Sequence, residues 1–306
     1  DWCTGTVNGN VVTVAVPTYT GLVGRNAVVE ISNTLDSKVR VPVSQAGGVW
    51  YVNGDDLYGL SDEESTITIP VKSDYDYTVD MPAWITGEKV KEGYNFTLTE
   101  NTTGNARKGT VIFKSQKGTK EITFVQFGVN DIAGTYEATY STFGEGDDWV
   151  SETVKIELLQ DEENEAVFYA DGLSSIRGVV LPLKFDGETY QLSALNGQYL
   201  GFIESQKWYL YTIVRSEAGY VHADTSLSYP AIAELDVDDE ELMPFFPFKD
   251  KKGFSFTGET GTIKSFIDAI GVYVFASKSP TFGNNNNLGY YDIFKDLSIK
   301  KIKADH

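Results

Sequence analysis

The 306-residue chain contains very little cysteine, histidine or methionine, with one Cys, two His and two Met. A single cysteine excludes an intrachain disulfide, and so few soft ligands give no recognisable zinc spacing, so we expect neither a metal site nor a cofactor. Basic residues are also scarce, 25 Lys and Arg against 44 Asp and Glu, for a net charge of −19. Nucleic acids and anionic membrane surfaces both select basic patches, so this charge argues against them as partners.

Long apolar runs are missing as well. The longest, such as residues 179–183, span only a few positions, and no membrane-spanning helix is predicted. The first residues, Asp1-Trp2-Cys3, have neither the basic head nor the apolar stretch of a signal peptide. We therefore expect that a signal was removed or lies outside this sequence, and a lipid anchor upstream of Asp1 stays open.

What the chain does have is the composition and periodicity of β-structure. Aromatic residues make up 13% and glycines number 29. Apolar and polar residues alternate with period two in residues 12–16, 66–69, 95–99 and 153–158, and Asn-Gly pairs of the hairpin type separate such runs. Only residues 264–270 and 291–297 have a pattern compatible with a helical turn or two. The sequence predicts an all-β protein.

An internal repeat sets the expected domain boundaries. Two parts of the chain match each other at a fixed offset, and such a repeat indicates that the same folding unit occurs twice. The second unit, residues 48–128, is complete, whereas residues 1–47 correspond only to the C-terminal half of such a unit. Half a β-sandwich exposes apolar surface and strand edges, so we expect the natural chain to continue upstream of Asp1, or other residues to complete the unit. At an offset of 82 residues, with one extra residue in the last hairpin, the matches are residues 2–5 with 84–87, Arg25 with Arg107, and Gln45 with Gln126.

The complete unit resembles a known family. It has the pair Trp84-Ile85, an Asn-containing turn at Asn101, the run Arg107-Lys108-Gly109-Thr110 and a closing strand that ends at Gln126-Phe127-Gly128. These features resemble the BACON domain, a Bacteroidetes-associated module with an immunoglobulin-like β-sandwich. The resemblance covers residues 48–128 well and 1–47 in part. It implies a glycan-associated role at the cell surface, in which the modules bind glycan or act as spacers.

Residues 131–306 form a third expected domain, which is strongly acidic. This half of the chain, from residue 129, has 29 acidic and 14 basic residues, whereas residues 1–128 have 15 and 11. Eight to ten short strands with tight hairpins predict an up-and-down β-barrel or a two-sheet sandwich. Gly134-Thr135-Tyr136 resembles the opening of lipocalin-like barrels, with Tyr in place of Trp. A lipocalin-like carrier of a small apolar ligand is therefore one alternative function.

The acidic run from Glu234 to Glu241 provides the other alternative. It resembles the catalytic strand of laminarinase-like glycoside hydrolases, whose paired carboxylates act as nucleophile and acid/base. Asp239 stands at the last position of that pattern and two prolines follow, so a solvated acidic loop is the favoured interpretation, ahead of Ca²⁺ binding. The internal His222 lacks an activated serine motif.

Aromatic residues in polar loops are the better functional indication. Ring stacking combined with Asp and Asn hydrogen bonds is a common way to bind sugars. The favoured function is therefore a non-catalytic, exported protein of the periplasm or outer cell surface, with the sandwiches as spacers and the C-terminal domain binding a neutral glycan. The candidate ligand-binding residues are Trp149, Asp147, Asp148, Tyr290, Tyr291, Asn284 and Asn286.

Overall fold

The protein is built from β-strands, as the sequence predicts. The computed structural model describes residues 2–35, 37–144, 148–237, 242–259, 261–283 and 285–303. Within these ranges there are 26 strands and one 3-10 turn, Val129–Asp131. In the described part of the chain, no helix has the length and apolar character to cross a membrane.

The two segments with helix-compatible patterns are strands, so that expectation is wrong. Residues 267–275 form a strand in which every residue is buried. A strand covered on both faces is mostly apolar, as this one is apart from Asp268, and its periodicity therefore cannot be distinguished from that of a buried helix.

The chain divides into two compact units that interleave along the sequence. The first unit comprises Asp1–Tyr58, Glu64–Glu100 and Gly109–Val125, and the second comprises Gly59–Glu63, Asn101–Lys108 and Gln126–His306. The strands up to residue 126 are β1 (Thr4–Asn8), β2 (Val11–Ala15), β3 (Arg25–Ser32), β4 (Lys38–Gln45), β5 (Trp50–Val52), β6 (Leu57–Leu60), β7 (Ser65–Ser73), β8 (Tyr77–Asp80), β9 (Ile85–Val90), β10 (Gly93–Leu98), β11 (Arg107–Ser115) and β12 (Gly118–Gln126).

Strands β5 to β12 form a two-sheet sandwich. One sheet has the order β5-β7-β10-β9 and the other β6-β12-β11-β8. Phe96 of the first sheet lies 5.8 Å from Phe113 and 5.6 Å from Phe124 of the second, between ring centroids, and all three rings are fully buried. Trp84 is only partly buried and packs beside Gly109, where a Cβ atom would lie 2.8 Å from its ring. The three phenylalanines therefore form the centre of this core.

Residues 2–47 form two separate hairpins, β1–β2 and β3–β4. The Arg25 guanidinium donates to Gln45 Oε1 at 2.9 and 3.1 Å, and the aligned Arg107 donates to Gln126 Oε1 at 2.9 Å. This shared pair supports the proposal that residues 1–47 are a partial copy of the same unit. Large apolar side chains are exposed here, among them Val7 at 71% and Val23 at 76%.

The remaining strands belong to the second unit, and ten of them follow one another in a single sheet. The strand order along this sheet is β18-β19-β25-β26-β13-β14-β15-β16-β17-β21. The strands are β13 (Gly134–Phe143), β14 (Trp149–Gln160), β15 (Val167–Asp171), β16 (Leu181–Asp186), β17 (Gln191–Leu195), β18 (Tyr199–Ile203), β19 (Trp208–Ser216), β20 (Val221–His222), β21 (Ser228–Ile232), β22 (Phe245–Pro247), β23 (Phe254–Gly258), β24 (Gly261–Ser265), β25 (Ile267–Phe275) and β26 (Asn287–Lys301).

The large sheet curls into a barrel. Strand β22 pairs with β26, and Phe248 directly after it forms a bridge with Ala231 of β21. These pairings connect β26 and β21, which are the two ends of the run β26-β13-β14-β15-β16-β17-β21. The barrel interior is occupied by fully buried side chains, including Tyr136, Phe168 and Phe246. The predicted barrel thus has a packed interior, and strands β25, β19 and β18 extend from β26 beside it.

Candidate functional site

A pocket of about 340 Å³ lies where the barrel core ends, and we call it the mouth pocket. Strands β13 and β14 position two of its side chains, because Tyr136, Ala138 and Tyr140 alternate along β13 and all join the buried core. Tyr140 is the last of them and lies directly opposite Glu152 of β14. Pockets at the mouths of barrels are common ligand sites, and this volume is at the lower end of their usual range.

Asp292 of β26 also lines the mouth pocket and fixes a loop there. Its carboxylate accepts the Ser174 and Ser175 hydroxyls, both at 2.6 Å, and the Ser175 N–H at 3.1 Å. The loop follows Gly172, whose φ of +86° is a backbone conformation that favours glycine. Three donors thus hold this carboxylate in one orientation.

The charge in the mouth pocket is negative. Glu152 and Asp292 both line it, and its lining contains no Lys, Arg or His side chain in the part of the chain described. The Tyr140 hydroxyl donates to Glu152 Oε2 at 3.3 Å, and burial first, then the charge of Glu152, raises the pKa of Tyr140 to about 12. Tyr140 therefore stays a neutral donor at physiological pH. Its ring meets the Phe294 ring edge-on, with centroids 4.9 Å apart.

Trp149 lies next to this pocket but does not line it. Its ring centroid is 4.8 Å from that of Phe143, which does line the pocket and is 53% exposed. Trp149 is partly buried, and the Arg215 guanidinium and Lys295 ammonium lie 5.4 and 5.5 Å from its ring centroid. Phe143 is therefore the ring that the pocket rim presents to a ligand. Asp148 is exposed next to Trp149, and Asp147 lies outside the described residues.

Tyr290 is held inside the sheet rather than in a loop. It belongs to a row of four tyrosines in register across β18, β19, β25 and β26, the others being Tyr199, Tyr211 and Tyr273. The Tyr290 hydroxyl donates to the Ile213 carbonyl oxygen at 3.2 Å, and burial raises the pKa of Tyr290. These contacts are those of a packing residue.

Tyr291 and Asn286 do not belong to the lining of the mouth pocket. Tyr291 is 50% exposed and contacts Trp208, with 6.2 Å between ring centroids. The Asn286 side chain donates to the carbonyl oxygens of Ser279 and Thr281 at 2.8 and 2.9 Å, so it shapes its own loop. Asn284 lies outside the described residues. Of the described residues singled out in the sequence, none lines the mouth pocket, although Trp149 contacts Phe143 of its lining and Tyr291 directly precedes Asp292.

The two other candidates from the sequence, the acidic run and His222, are described by their backbone pairing and their aromatic contacts. Glu234 pairs through its backbone with Phe245, and residues 238–241 of the acidic run lie outside the described residues. His222 packs edge-on against the stacked rings of Phe254 and Phe256, with centroids 4.8 and 4.6 Å away. Over the described ranges, no group of three or more His, Cys, Asp or Glu residues is arranged to hold a metal ion.

Comparison with known families identifies one module. Residues 72–127 match the family model BACON, described as "Putative binding domain, N-terminal". Residues 72–127 are a BACON domain. No curated protein and no solved structure matches the chain.

Within the BACON domain, the characteristic residues are engaged in holding the fold. Arg107 bonds to Gln126, and the Gln126 amide in turn donates to the carbonyl oxygens of Ser61 and Glu63, both at 3.3 Å. Gln126 is fully buried. Arg107 and Gln126, two of the features by which the BACON domain resembles its family, therefore stabilise a loop.

Proposed function

We propose that this protein is a non-catalytic, glycan-binding protein of the cell envelope, and that the mouth pocket of its barrel holds the sugar. The BACON domain supports the association with carbohydrate and with extracellular or envelope proteins. The observation that carries the assignment of the site is the composition of the pocket, in which two carboxylates and several hydroxyl groups surround an aromatic wall.

Each part of the pocket matches a part of a sugar. Carboxylates accept hydrogen bonds from sugar hydroxyls. The Tyr140, Ser174 and Ser175 hydroxyls donate to Glu152 and Asp292, so their oxygen lone pairs offer further acceptors for sugar hydroxyls. The exposed ring of Phe143 offers a face on which the apolar side of a pyranose stacks. Glu152 and Asp292 would repel sulfated or uronic sugars, so a neutral glycan is the favoured ligand. The sandwich units, whose distinctive residues Arg107 and Gln126 are engaged in holding loops, act as spacers in this proposal.

One test is a glycan array followed by calorimetric titration of the whole chain and four variants. We expect dissociation constants of roughly millimolar to micromolar, since one ring and a few hydrogen bonds contribute only a few kcal/mol. Glu152→Gln keeps the shape of its side chain and Phe143→Ala removes the ring, and each is expected to weaken binding about tenfold or more.

Two matched variants serve as controls. Glu137→Gln removes an equivalent charge from the same hairpin outside the pocket, and Phe202→Ala removes a ring of similar exposure, 37%, from strand β18. Both should bind as the wild type does. Loss of binding in Phe202→Ala with normal binding in Glu152→Gln would move the site to strand β18. Release of reducing sugar by the wild type that Glu152→Gln abolishes would contradict the non-catalytic part of the proposal.

A further inference from the structure

Two buried aspartates in the second unit lie on either side of one glycine. Asp131 is fully buried; its Oδ2 accepts the Gly128 N–H at 3.0 Å, and its Oδ1 has no hydrogen-bond partner. Asp62 is 5% exposed, and its Oδ1 accepts the Asn101 amide at 3.3 Å while its Oδ2 accepts the Asn130 N–H at 3.3 Å. Four acceptor oxygens therefore converge on few donors.

Gly128 shows how closely the two carboxyl groups approach. A Cβ atom at Gly128 would lie 2.4 Å from Asp62 Oδ2, while the N–H of the same residue is bonded to Asp131. Two ionised carboxylates in such a buried place repel one another, and burial penalises each charge. A single proton between them removes one charge and gives Asp131 Oδ1 a hydrogen-bonding role. Paired carboxyl groups in proteins share a proton in this way.

We propose that Asp62 and Asp131 share one proton and form a pH-sensitive latch that joins residues 59–63 to residues 126–132 of the second unit. Backbone hydrogen bonds already connect these segments, since the Phe127 N–H donates to the Leu60 carbonyl oxygen at 3.0 Å. As the pH rises towards neutral the closed latch loses its advantage, and once the proton has left, two negative charges face each other.

The other charged groups around the pair oppose this effect without cancelling it. The Lys301 ammonium, itself 7% exposed, donates to the Asp131 carbonyl oxygen at 2.7 Å and the Gly104 carbonyl oxygen at 3.3 Å, and its charge favours ionised Asp131. Arg107 also interacts electrostatically with both aspartates. The Tyr136 hydroxyl, which senses the charge of Asp131, and the Tyr190 hydroxyl, which senses that of Asp62, remain neutral. Burial and the charge of Asp62 dominate, and they raise the pKa of Asp131 to about 7.

The raised pKa of Asp131 determines how the stability of the closed latch depends on pH. In the opened state Asp131 titrates near its ordinary value of about 4, whereas in the closed state it holds its proton up to about pH 7. Between these values closing the latch takes up one proton, so the closed state becomes less favoured as the pH rises, by up to about tenfold per pH unit. Below pH 4 and above pH 7 the dependence levels off.

Hydrogen exchange at the Gly128 and Asn130 amides of the whole chain tests the latch, because these two N–H groups are bonded to the two carboxyl groups. After correction for intrinsic exchange, the wild-type protection factors should fall by up to about tenfold per pH unit from pH 5 to 7. Asp131→Asn supplies a permanent N–H donor to Asp62, so its protection should be independent of pH and higher than that of the wild type at pH 8. Asp171→Asn removes an exposed charge elsewhere and should leave the wild-type dependence unchanged.

Two results for the Asp131→Asn variant would contradict the proposal. A wild-type pH dependence in Asp131→Asn, or lower protection than wild type at pH 8, would overturn the shared proton. Should that variant fail to fold, carboxyl-carbon NMR of the wild type decides the question. A titration midpoint of Asp131 near pH 7 supports the latch, and a midpoint below pH 5 refutes it.

Discussion

Replacing Tyr290 by Phe tests whether this residue packs the sheet, as its contacts indicate, or binds a ligand, as the sequence suggested. The change removes only the hydroxyl that donates to the Ile213 carbonyl oxygen at 3.2 Å and leaves the ring in place. A hydrogen bond of this kind contributes about 0.5–1.5 kcal/mol. In a domain of 150–250 residues, 1 kcal/mol corresponds to about 2–4 °C in melting temperature, so we expect a decrease of about 1–6 °C. Affinity for a glycan at the mouth pocket should not change.

The neighbouring Gly271 gives a contrasting variant. A Cβ atom at Gly271 would lie 2.9 Å from Cδ1 of Tyr290 and 2.2 Å from the Asp292 carbonyl oxygen. Gly271→Ala therefore displaces strand β26, at a cost of about 1–3 kcal/mol for overpacking. Since Asp292 lines the mouth pocket, this variant should lose both thermal stability and glycan affinity, whereas Tyr290→Phe loses stability alone.

Differential scanning calorimetry and glycan titration on the same preparations check both variants, with Tyr291→Phe as the control at an exposed ring. Two outcomes would refute the packing role of Tyr290. One is a loss of affinity in Tyr290→Phe at an unchanged melting temperature, and the other is a Gly271→Ala variant as stable as the wild type.

Two further changes test the cores of the two units. Phe96→Ala removes the ring that contacts both Phe113 and Phe124 and should lower the free energy of unfolding by about 3–5 kcal/mol in urea denaturation; a cost below about 1 kcal/mol would contradict the central position of Phe96. Burial lowers the pKa of His222, so its contribution to stability should be lost as the pH falls below about 6.5, and His222→Phe should remove that dependence. The measurement is best made in the Asp131→Asn background, because Asp131 titrates with the opposite sign; an unchanged pH dependence in the double variant would exclude His222 as its source.

Local sequence patterns predicted much of the fold because strand alternation reports directly on burial. The alternation in residues 95–99 marks the face of β10 that carries Phe96, and that in residues 153–158 marks the core face of β14. The same patterns predicted a strand over residues 272–276 but did not extend it back through residues 267–271, since a strand buried on both faces lacks regular polar alternation. Local patterns also could not show that the barrel interior is filled, because the filling depends on contacts between side chains of many different strands.

The candidate site was harder to predict because its parts are distant in sequence. Ser174 and Asp292 are separated by 118 positions, and only the curling of the sheet brings the loop onto β26. The sequence marks Tyr290, whose ring packs in the sheet, as a ligand-binding candidate and does not mark Phe143, whose ring is exposed. Sequence position alone does not say which of two rings faces water.

The packed barrel interior bears on which ligands the second unit accepts. A lipocalin-like carrier encloses its ligand, yet the rings of Tyr136, Phe168 and Phe246 occupy the interior and are shielded from solvent. Admitting an apolar ligand there would require displacing buried rings, each removal costing about 3–5 kcal/mol. A ligand at the mouth pocket displaces water alone and meets carboxylates and hydroxyls already held in place, such as Asp292 by its three donors. This difference in cost favours a polar, hydroxyl-rich ligand at the mouth over an apolar one inside.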